Sequence, residues 1–115
     1  MSMEKIVTLK RNRDFSRLYN KGKSHVAPSV VVYVLKNRVH RVRIGITTSK
    51  KIGNAVERNR ARRVIREAFR KLLPRIRPGF DLVFVARKKT TQVKSTEVAV
   101  AMEKLLRDAN LLREA

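Results

Sequence analysis

The sequence lacks cysteine altogether, which excludes disulfide bonds and metal sites built from thiolate ligands. It also lacks any stretch near the ~20 consecutive apolar residues that a transmembrane helix needs. The first residues contain no apolar segment typical of a secretory signal peptide. From these absences we expect a cytoplasmic protein that does not enter a membrane.

Residues suited to acid–base or metal chemistry are scarce. The two histidines, His25 and His40, have no carboxylate at ligand spacing, so we expect both at the surface. The 9 acidic residues are scattered, and no Ser-His-Asp arrangement is present. The sequence therefore predicts no catalytic residue and no metal site on the protein.

Positive charge dominates what is present. Lys and Arg number 29 against 9 acids, which gives a formal net charge of +20 over 115 residues. Self-repulsion at this charge opposes compaction, and a polyanionic partner is the simplest way to relieve it. We therefore expect a nucleic-acid partner, with an anionic membrane surface as the weaker alternative.

A basic, amphipathic helix is predicted at the centre of the chain, over Asn54–Leu73. Its apolar residues recur at i, i+3, i+4 and i+7: Ala61, Val64, Ile65, Ala68, Phe69 and Leu72. The opposite face carries Asn59, Arg62, Arg63, Arg66 and Arg70. Asn54 and Glu57 form a capping-box pattern, and Pro74 ends the helix. Lys50 and Lys51 precede this N-terminus, so the loop is a candidate anion site.

The remaining pattern predicts an α+β fold in one domain, residues 1–115. A roughly four-stranded sheet carries three helices in the order α-β-β-β-α-β-α. We expect elements at Asn12–Asn20 (capped by Asn12), Ser24–Ala27, Val30–Leu35, Val42–Thr48, Phe80–Ala86 and Ser95–Leu112 (capped by Ser95 or Thr96). Met1–Arg11 is predicted to be extended or loosely ordered, Asn37–Arg41 to be a hairpin loop, and Thr90–Lys94 to be a loop. Gly45 suggests a close approach to its strand.

Aromatic residues of the first predicted helix share one side with Leu18. Phe15 and Tyr19 lie there by i, i+4 spacing, and they fit two roles. As ordinary core residues they would pack on the sheet, which the base rate for aromatics favours. As surface residues they would be available to stack on a ligand.

A long motif resembles the protein component of bacterial ribonuclease P. It runs from Ser49 to Phe69 as SKKIGNAVERNRARRVIREAF and contains the Arg-Asn-Arg element of that family at 58–60. The Arg-Asn-Arg-Asp-Phe segment at 11–15, the Tyr33 strand and the Ala-Arg-Lys strand end at 86–88 match as well, so the resemblance covers nearly the whole chain. Arg62 and Tyr19 depart from the lysine and phenylalanine frequent in the family. Tyr19 would still stack, whereas Arg and Lys bind phosphate differently.

The resemblance implies a subunit of a ribonucleoprotein endonuclease that removes the 5′ leader of precursor tRNA. It implies that the RNA subunit is the catalyst and uses magnesium, while the protein assists substrate and metal binding and has no hydrolytic residues of its own. The implied partners are the catalytic RNA, in a 1:1 complex, and precursor tRNA. The implied fold has a left-handed strand–helix–strand crossover, where the general rule predicts a right-handed one.

Carried onto this chain, the resemblance assigns three sets of residues. Binding of the RNA subunit is implied for Lys50, Lys51, Arg58, Asn59, Arg60, Arg62, Arg63 and Arg66. Binding of the leader, in a cleft between the first helix and the sheet, is implied for Phe15, Tyr19 and Tyr33, because bases stack on aromatic rings with little sequence preference. Arg87, Lys88 and Lys89 are candidate phosphate contacts, with a solvated charge cluster as the alternative.

Two other functions fit the composition. A ribosomal or assembly protein would bind structured RNA without any enzymatic partner, and it would not distinguish precursor from mature tRNA. A DNA-binding protein would place the basic helix in the major groove, but no helix-turn-helix pairing precedes that helix.

Overall fold

A computed structural model describes residues 6–113. Its strands are β1 (Ile6–Thr8), β2 (Lys23–Val26), β3 (Val30–Lys36), β4 (Val42–Thr47) and β5 (Phe80–Ala86), and its helices are α1 (Asn12–Lys21), α2 (Ala55–Leu72) and α3 (Ser95–Asp108). The predicted α+β class is confirmed. The predicted four strands become five, because three residues of the N-terminal segment pair with β4 as β1.

The sheet has the order β1-β4-β5-β3-β2, which puts β5 at its centre. Strand β5 runs parallel to β4 and antiparallel to β3. Strands β4 and β5 are therefore the parallel strands of the strand–helix–strand crossover that the resemblance implies, with α2 between them in the chain. Both faces of β5 are covered. Side chains of β5 alternate between the two faces, and most of them are buried.

The prediction of a hairpin at Asn37–Arg41 is wrong. Strands β3 and β4 are not neighbours, because β5 lies between them. The loop instead crosses the start of β5: the Asn37 amide donates to the Gly79 carbonyl at 2.7 Å, and the Gly79 amide donates to the Arg41 carbonyl at 3.1 Å. An apolar strand made later in the chain outcompetes the local pairing, since it buries both of its faces.

The main core lies between the sheet and the helices α2 and α3. Every member of the predicted apolar stripe of α2 is buried there, against alternate residues of β3, β4 and β5. Helix α1 packs on the opposite face, where Leu9, Leu18 and Val83 form a smaller cluster. The sheet therefore separates α1 from the basic helix α2.

Three helix ends differ from the predictions. Arg11 precedes α1 as its N-cap and Lys94 precedes α3, and neither makes a side-chain capping bond, so Asn12, Ser95 and Thr96 do not act as caps. Helix α3 ends at Asp108 because Asn110 adopts φ +61°. The region predicted as a loop over Thr90–Lys94 begins as a 3-10 turn, Lys88–Gln92.

Gly45 makes the close approach that the sequence suggested. A Cβ atom added there would lie 2.6 Å from the ring of Phe15, so only glycine allows this ring to lie against β4. The contact fixes where the first turns of α1 cross the sheet.

Candidate nucleic-acid interface

The N-terminus of α2 is built as predicted. The Asn54 side chain accepts from the Glu57 amide at 2.9 Å, and the Glu57 carboxylate accepts from the Asn54 amide at 3.2 Å. Gly53 has φ +146°, a conformation that side chains disfavour, and it turns the chain from a 3-10 turn at Lys50–Ile52 into the helix. Lys50 and Lys51 are exposed directly before this helix start.

The polar face of α2 is exposed along most of its length. Asn59, Arg63, Arg66 and Arg70 face solvent as predicted. Arg62 is half-buried, because its guanidinium donates to the Ile46 carbonyl at 3.0 Å and to Thr48 Oγ1 at 3.1 Å. Arg62 thus ties α2 to the end of β4 as well as bordering the basic face.

Two further arginines of α2 hold the segments around them. Arg58 donates to the Gly53 carbonyl at 2.9 Å, and Arg60 Nε donates to the Thr91 carbonyl at 3.1 Å. A guanidinium has five N–H donors, so one such bond leaves most of its capacity for phosphate. The Arg60 contact also brings the turn after β5 against the first half of α2.

The remaining predicted RNA-binding residues lie just after the carboxyl ends of β4 and β5. Because the two strands are parallel, these ends lie at the same edge of the sheet. Lys50 and Lys51 follow β4, and Arg87, Lys88 and Lys89 follow β5. Lys88 and Lys89 are exposed, while the Arg87 guanidinium donates to the Ala27 carbonyl at 3.1 Å. Basic groups that are distant in sequence therefore share one edge with the start of α2.

The three predicted aromatic residues lie on the α1 side of the sheet, and we call them the aromatic site: Phe15, Tyr19 and Tyr33. The rings of Tyr19 and Tyr33 meet edge to face, with centroids 4.9 Å apart. Tyr19 is 41% exposed, whereas Phe15 and Tyr33 are half-buried. Phe15 therefore packs against the smaller core cluster, whereas Tyr19 presents part of its ring to solvent.

The end of β4 lies between the aromatic site and the basic face of α2. The Tyr19 hydroxyl donates to Thr47 Oγ1 at 3.4 Å on one side of the strand. Thr48, the next residue, accepts from Arg62 toward α2. Aromatic rings and guanidinium groups therefore border the same strand end, an arrangement suited to a single-stranded nucleic acid that needs both stacking and phosphate contacts.

A buried carboxylate that the sequence pattern did not predict lies under α1. Asp81 is fully buried; Arg43 donates to both of its oxygens at 2.7 Å, Asn37 donates at 2.8 Å and Arg17 donates at 3.1 Å. An acidic residue within an apolar strand was the available signal, because a buried acid needs partners. Burial alone would raise the pKa of Asp81, but these hydrogen bonds and charges hold it below its usual value. Asp81 in turn raises the pKa of Arg43.

Few acidic or histidine side chains lie within residues 6–113. No group of three or more His, Asp or Glu side chains in that range is arranged to hold a metal ion. No helix in the same range combines the length and apolar character that crossing a membrane requires.

Comparisons with known proteins agree on one family. The sequence matches the family model described as Ribonuclease P over residues 3–110. It is 36% identical to the ribonuclease P protein component of Clostridioides difficile over 112 residues, covering 96% of this chain and 98% of the relative. It is 40% identical to that of Pelotomaculum thermopropionicum over 111 residues, covering 96% and 99%.

Solved structures give the same result for the fold. The ribonuclease P protein of Staphylococcus aureus superposes with a TM-score of 0.81 at 34% identity, covering 92% of this chain and 97% of the other. The protein from Thermotoga maritima superposes with a TM-score of 0.76 at 34% identity, covering 87% and 96%. At this level of identity and coverage, the likeness extends to sequence as well as fold.

Proposed function

Because the chain belongs to the ribonuclease P protein family, we propose that it binds RNA at two surfaces on either side of the β4 end. It is the protein subunit of a ribonucleoprotein that processes the 5′ end of tRNA. The aromatic site binds the single-stranded 5′ leader of precursor tRNA. The exposed face of α2 binds the catalytic RNA.

The observation that carries this proposal is the placement of the aromatic site beside the basic strand end. Tyr19 exposes its ring next to Tyr33, and bases stack on such rings with little regard to sequence. Basic groups at the same edge neutralise the phosphates that follow each base. A subunit that must accept many different leaders needs this combination of tolerant stacking and charge.

On the α2 surface, the charged groups bind phosphate and Asn59 has a different role. The RNA-contacting set comprises Lys50, Lys51, Arg58, Asn59, Arg60, Arg62, Arg63 and Arg66. Asn59 both donates and accepts hydrogen bonds, which suits a 2′-hydroxyl or a base edge. Arg87, Lys88 and Lys89 extend the phosphate contacts from the end of β5.

Hydrolysis belongs to the RNA subunit in this proposal, and so does the magnesium it uses. The protein contributes binding and orientation, and none of its side chains has a catalytic role. The subunits act as a 1:1 complex. The described residues offer no acidic cluster that fits a magnesium ion, so no step is assigned to a protein-bound metal.

The test compares the affinity of the protein–RNA complex for precursor and mature tRNA at fixed salt. Replacing Tyr19 with Ala should weaken precursor binding about tenfold, because a stacked base contributes ~1–3 kcal/mol. Mature tRNA binding should not change, since it has no leader. Replacing Arg66 with Ala should instead weaken assembly with the catalytic RNA and reduce the salt slope by about one.

Tyr19→Phe is the matched control, because it keeps the ring and removes only the hydroxyl bond to Thr47. It should bind precursor nearly as well as the unmodified protein. Equal losses for precursor and mature tRNA in Tyr19→Ala would show that the aromatics serve packing alone. Equal affinity of the unmodified complex for both RNAs would favour a ribosomal or assembly role.

A further inference from the structure

We propose that Asp81 is a positioning residue for leader binding: it fixes α1 on the sheet and so sets the spacing of the aromatic site. The inference rests on the proposed function, since it assumes that the aromatic site binds the leader. Asp81 itself is fully buried, so a bound RNA would not reach its carboxylate. It acts through Arg17, which projects from α1.

The carboxylate is held rigidly from the sheet side. Arg43, its neighbour across β4 and β5, donates Nε to Oδ1 and Nη2 to Oδ2, both at 2.7 Å. Asn37 adds a bond to Oδ1 at 2.8 Å and donates to the Arg41 carbonyl at 3.0 Å. Bidentate pairing of this kind restricts orientation as well as distance. Asp81 therefore offers α1 an acceptor that does not move relative to the sheet.

The bond from α1 comes from the segment of the helix that carries two of the aromatic residues. Arg17 lies two residues after Phe15 and two before Tyr19, and its Nη2 donates to Asp81 Oδ2 at 3.1 Å. The neighbouring Leu18 is fully buried on the sheet, but apolar packing is non-directional. The Arg17 bond adds a direction, so it fixes the rotation of α1 that brings Tyr19 to 4.9 Å from Tyr33.

The free energy of folding gives little reason for the Arg17–Asp81 ion pair. A buried ion pair contributes little over apolar residues of the same shape, because desolvation offsets the attraction. The side chain of Arg17 is also 44% exposed, which weakens its pairing further. Such a pair does supply a defined orientation. Here it orients α1 on the sheet, and therefore the rings of the aromatic site.

The experiment measures precursor and mature tRNA affinity of the assembled complex for Arg17→Ala, Asp81→Asn and the double variant. Arg17→Ala leaves Asp81 paired with Arg43 and Asn37, so this variant should fold. Arg13→Ala is the matched control, because it removes one exposed positive charge from the same helix. Circular dichroism and assembly with the catalytic RNA verify the fold of each variant.

Arg17→Ala and Asp81→Asn should each weaken precursor binding about tenfold, since either change removes the hydrogen bond that orients α1 and its aromatic residues. Mature tRNA binding and RNA-subunit affinity should stay within about twofold, and the salt slope of precursor binding should not change. The double variant should lose no more than either single one, because the two residues act as a unit.

Three results would overturn the inference. Additive losses in the double variant would mean that the residues act separately. A salt slope lowered in Arg17→Ala, with Asp81→Asn unaffected, would mean that Arg17 binds a leader phosphate directly. Unchanged precursor affinity in both single variants would mean that Asp81 does not position the aromatic site. If Tyr19→Ala also left precursor binding unchanged, the proposed function itself would fail, whereas a loss in Tyr19→Ala alone would reject only the positioning role.

Discussion

Within residues 6–113, arginine side chains hydrogen-bond to main-chain carbonyls more often than to acids. With 29 basic residues and 9 acidic ones, most guanidinium groups have no carboxylate to pair with. Examples are the bonds to main-chain carbonyls that Arg58 donates to Gly53, Arg60 to Thr91, Arg62 to Ile46 and Arg87 to Ala27. A carbonyl orients the guanidinium without neutralising it, so the full charge remains available to phosphate.

Substitution of Asp81 should have an effect on the free energy of unfolding that depends strongly on pH. Its pKa in the folded protein is lowered from 3.8, so the ionised form stabilises the fold above about pH 4. That contribution should disappear as pH falls below this range, because protons then bind the unfolded state first. Urea unfolding of Asp81→Asn should show a loss of about 3 kcal/mol at neutral pH that shrinks in acid.

Glu103 supplies the control for this prediction. Hydrogen bonds from Arg75 and Arg107 also lower the pKa of Glu103, but this cluster lies at the surface. Glu103→Gln should therefore change the free energy of unfolding far less than Asp81→Asn. A loss for Asp81→Asn that stays constant from neutral to acidic pH would contradict the ionised, paired state.

Among the elements, α2 was the most predictable from sequence and the helix ends of α1 and α3 the least. The apolar stripe of α2 repeats over about three turns, and the helix is bounded by a capping box and Pro74, so several independent signals agree. Asn12 and Ser95 resemble caps, but the chain enters each helix one residue earlier, at Arg11 and Lys94. A cap residue alone does not fix the helix start within one residue.

The capping box of α2 should contribute measurably to stability. Asn54→Ala removes the acceptor for the Glu57 amide and should lower the free energy of unfolding by about 1 kcal/mol in urea. Asn59→Ala, on the exposed face of the same helix, should not lower the free energy of unfolding, since alanine is the better helix former. A similar loss in both variants would mean that general helix propensity, and not the cap, is responsible.

Across the whole molecule, the net charge of +20 should make stability sensitive to multivalent anions. Like charges repel in the compact state, and an anion that binds the folded protein shifts the equilibrium toward it. Millimolar pyrophosphate should raise the Tm of the free protein by about 5 °C. Sodium chloride at equal ionic strength is the control, and an equal rise with both salts would reduce the effect to screening.

The order of the strands within the sheet was the part that the sequence did not reveal. The alternation in Val30–Lys36 and the apolar character of Phe80–Ala86 predicted the strands but not their neighbours. Strand β1 has three residues and little periodicity, so only its pairing with β4 identifies it. The proximity of Arg17, Arg43 and Asp81 follows from that topology, which is why the buried carboxylate was missed.

The central position of β5 also has a consequence for how the chain is made. Strands β3 and β4 are synthesised before β5, yet β5 is the strand with which each of them pairs over most of its length. The same strand carries Asp81, the acceptor for α1. The nascent chain therefore lacks its complete sheet until β5 has been synthesised, and the surface that α1 forms can be completed only after that point.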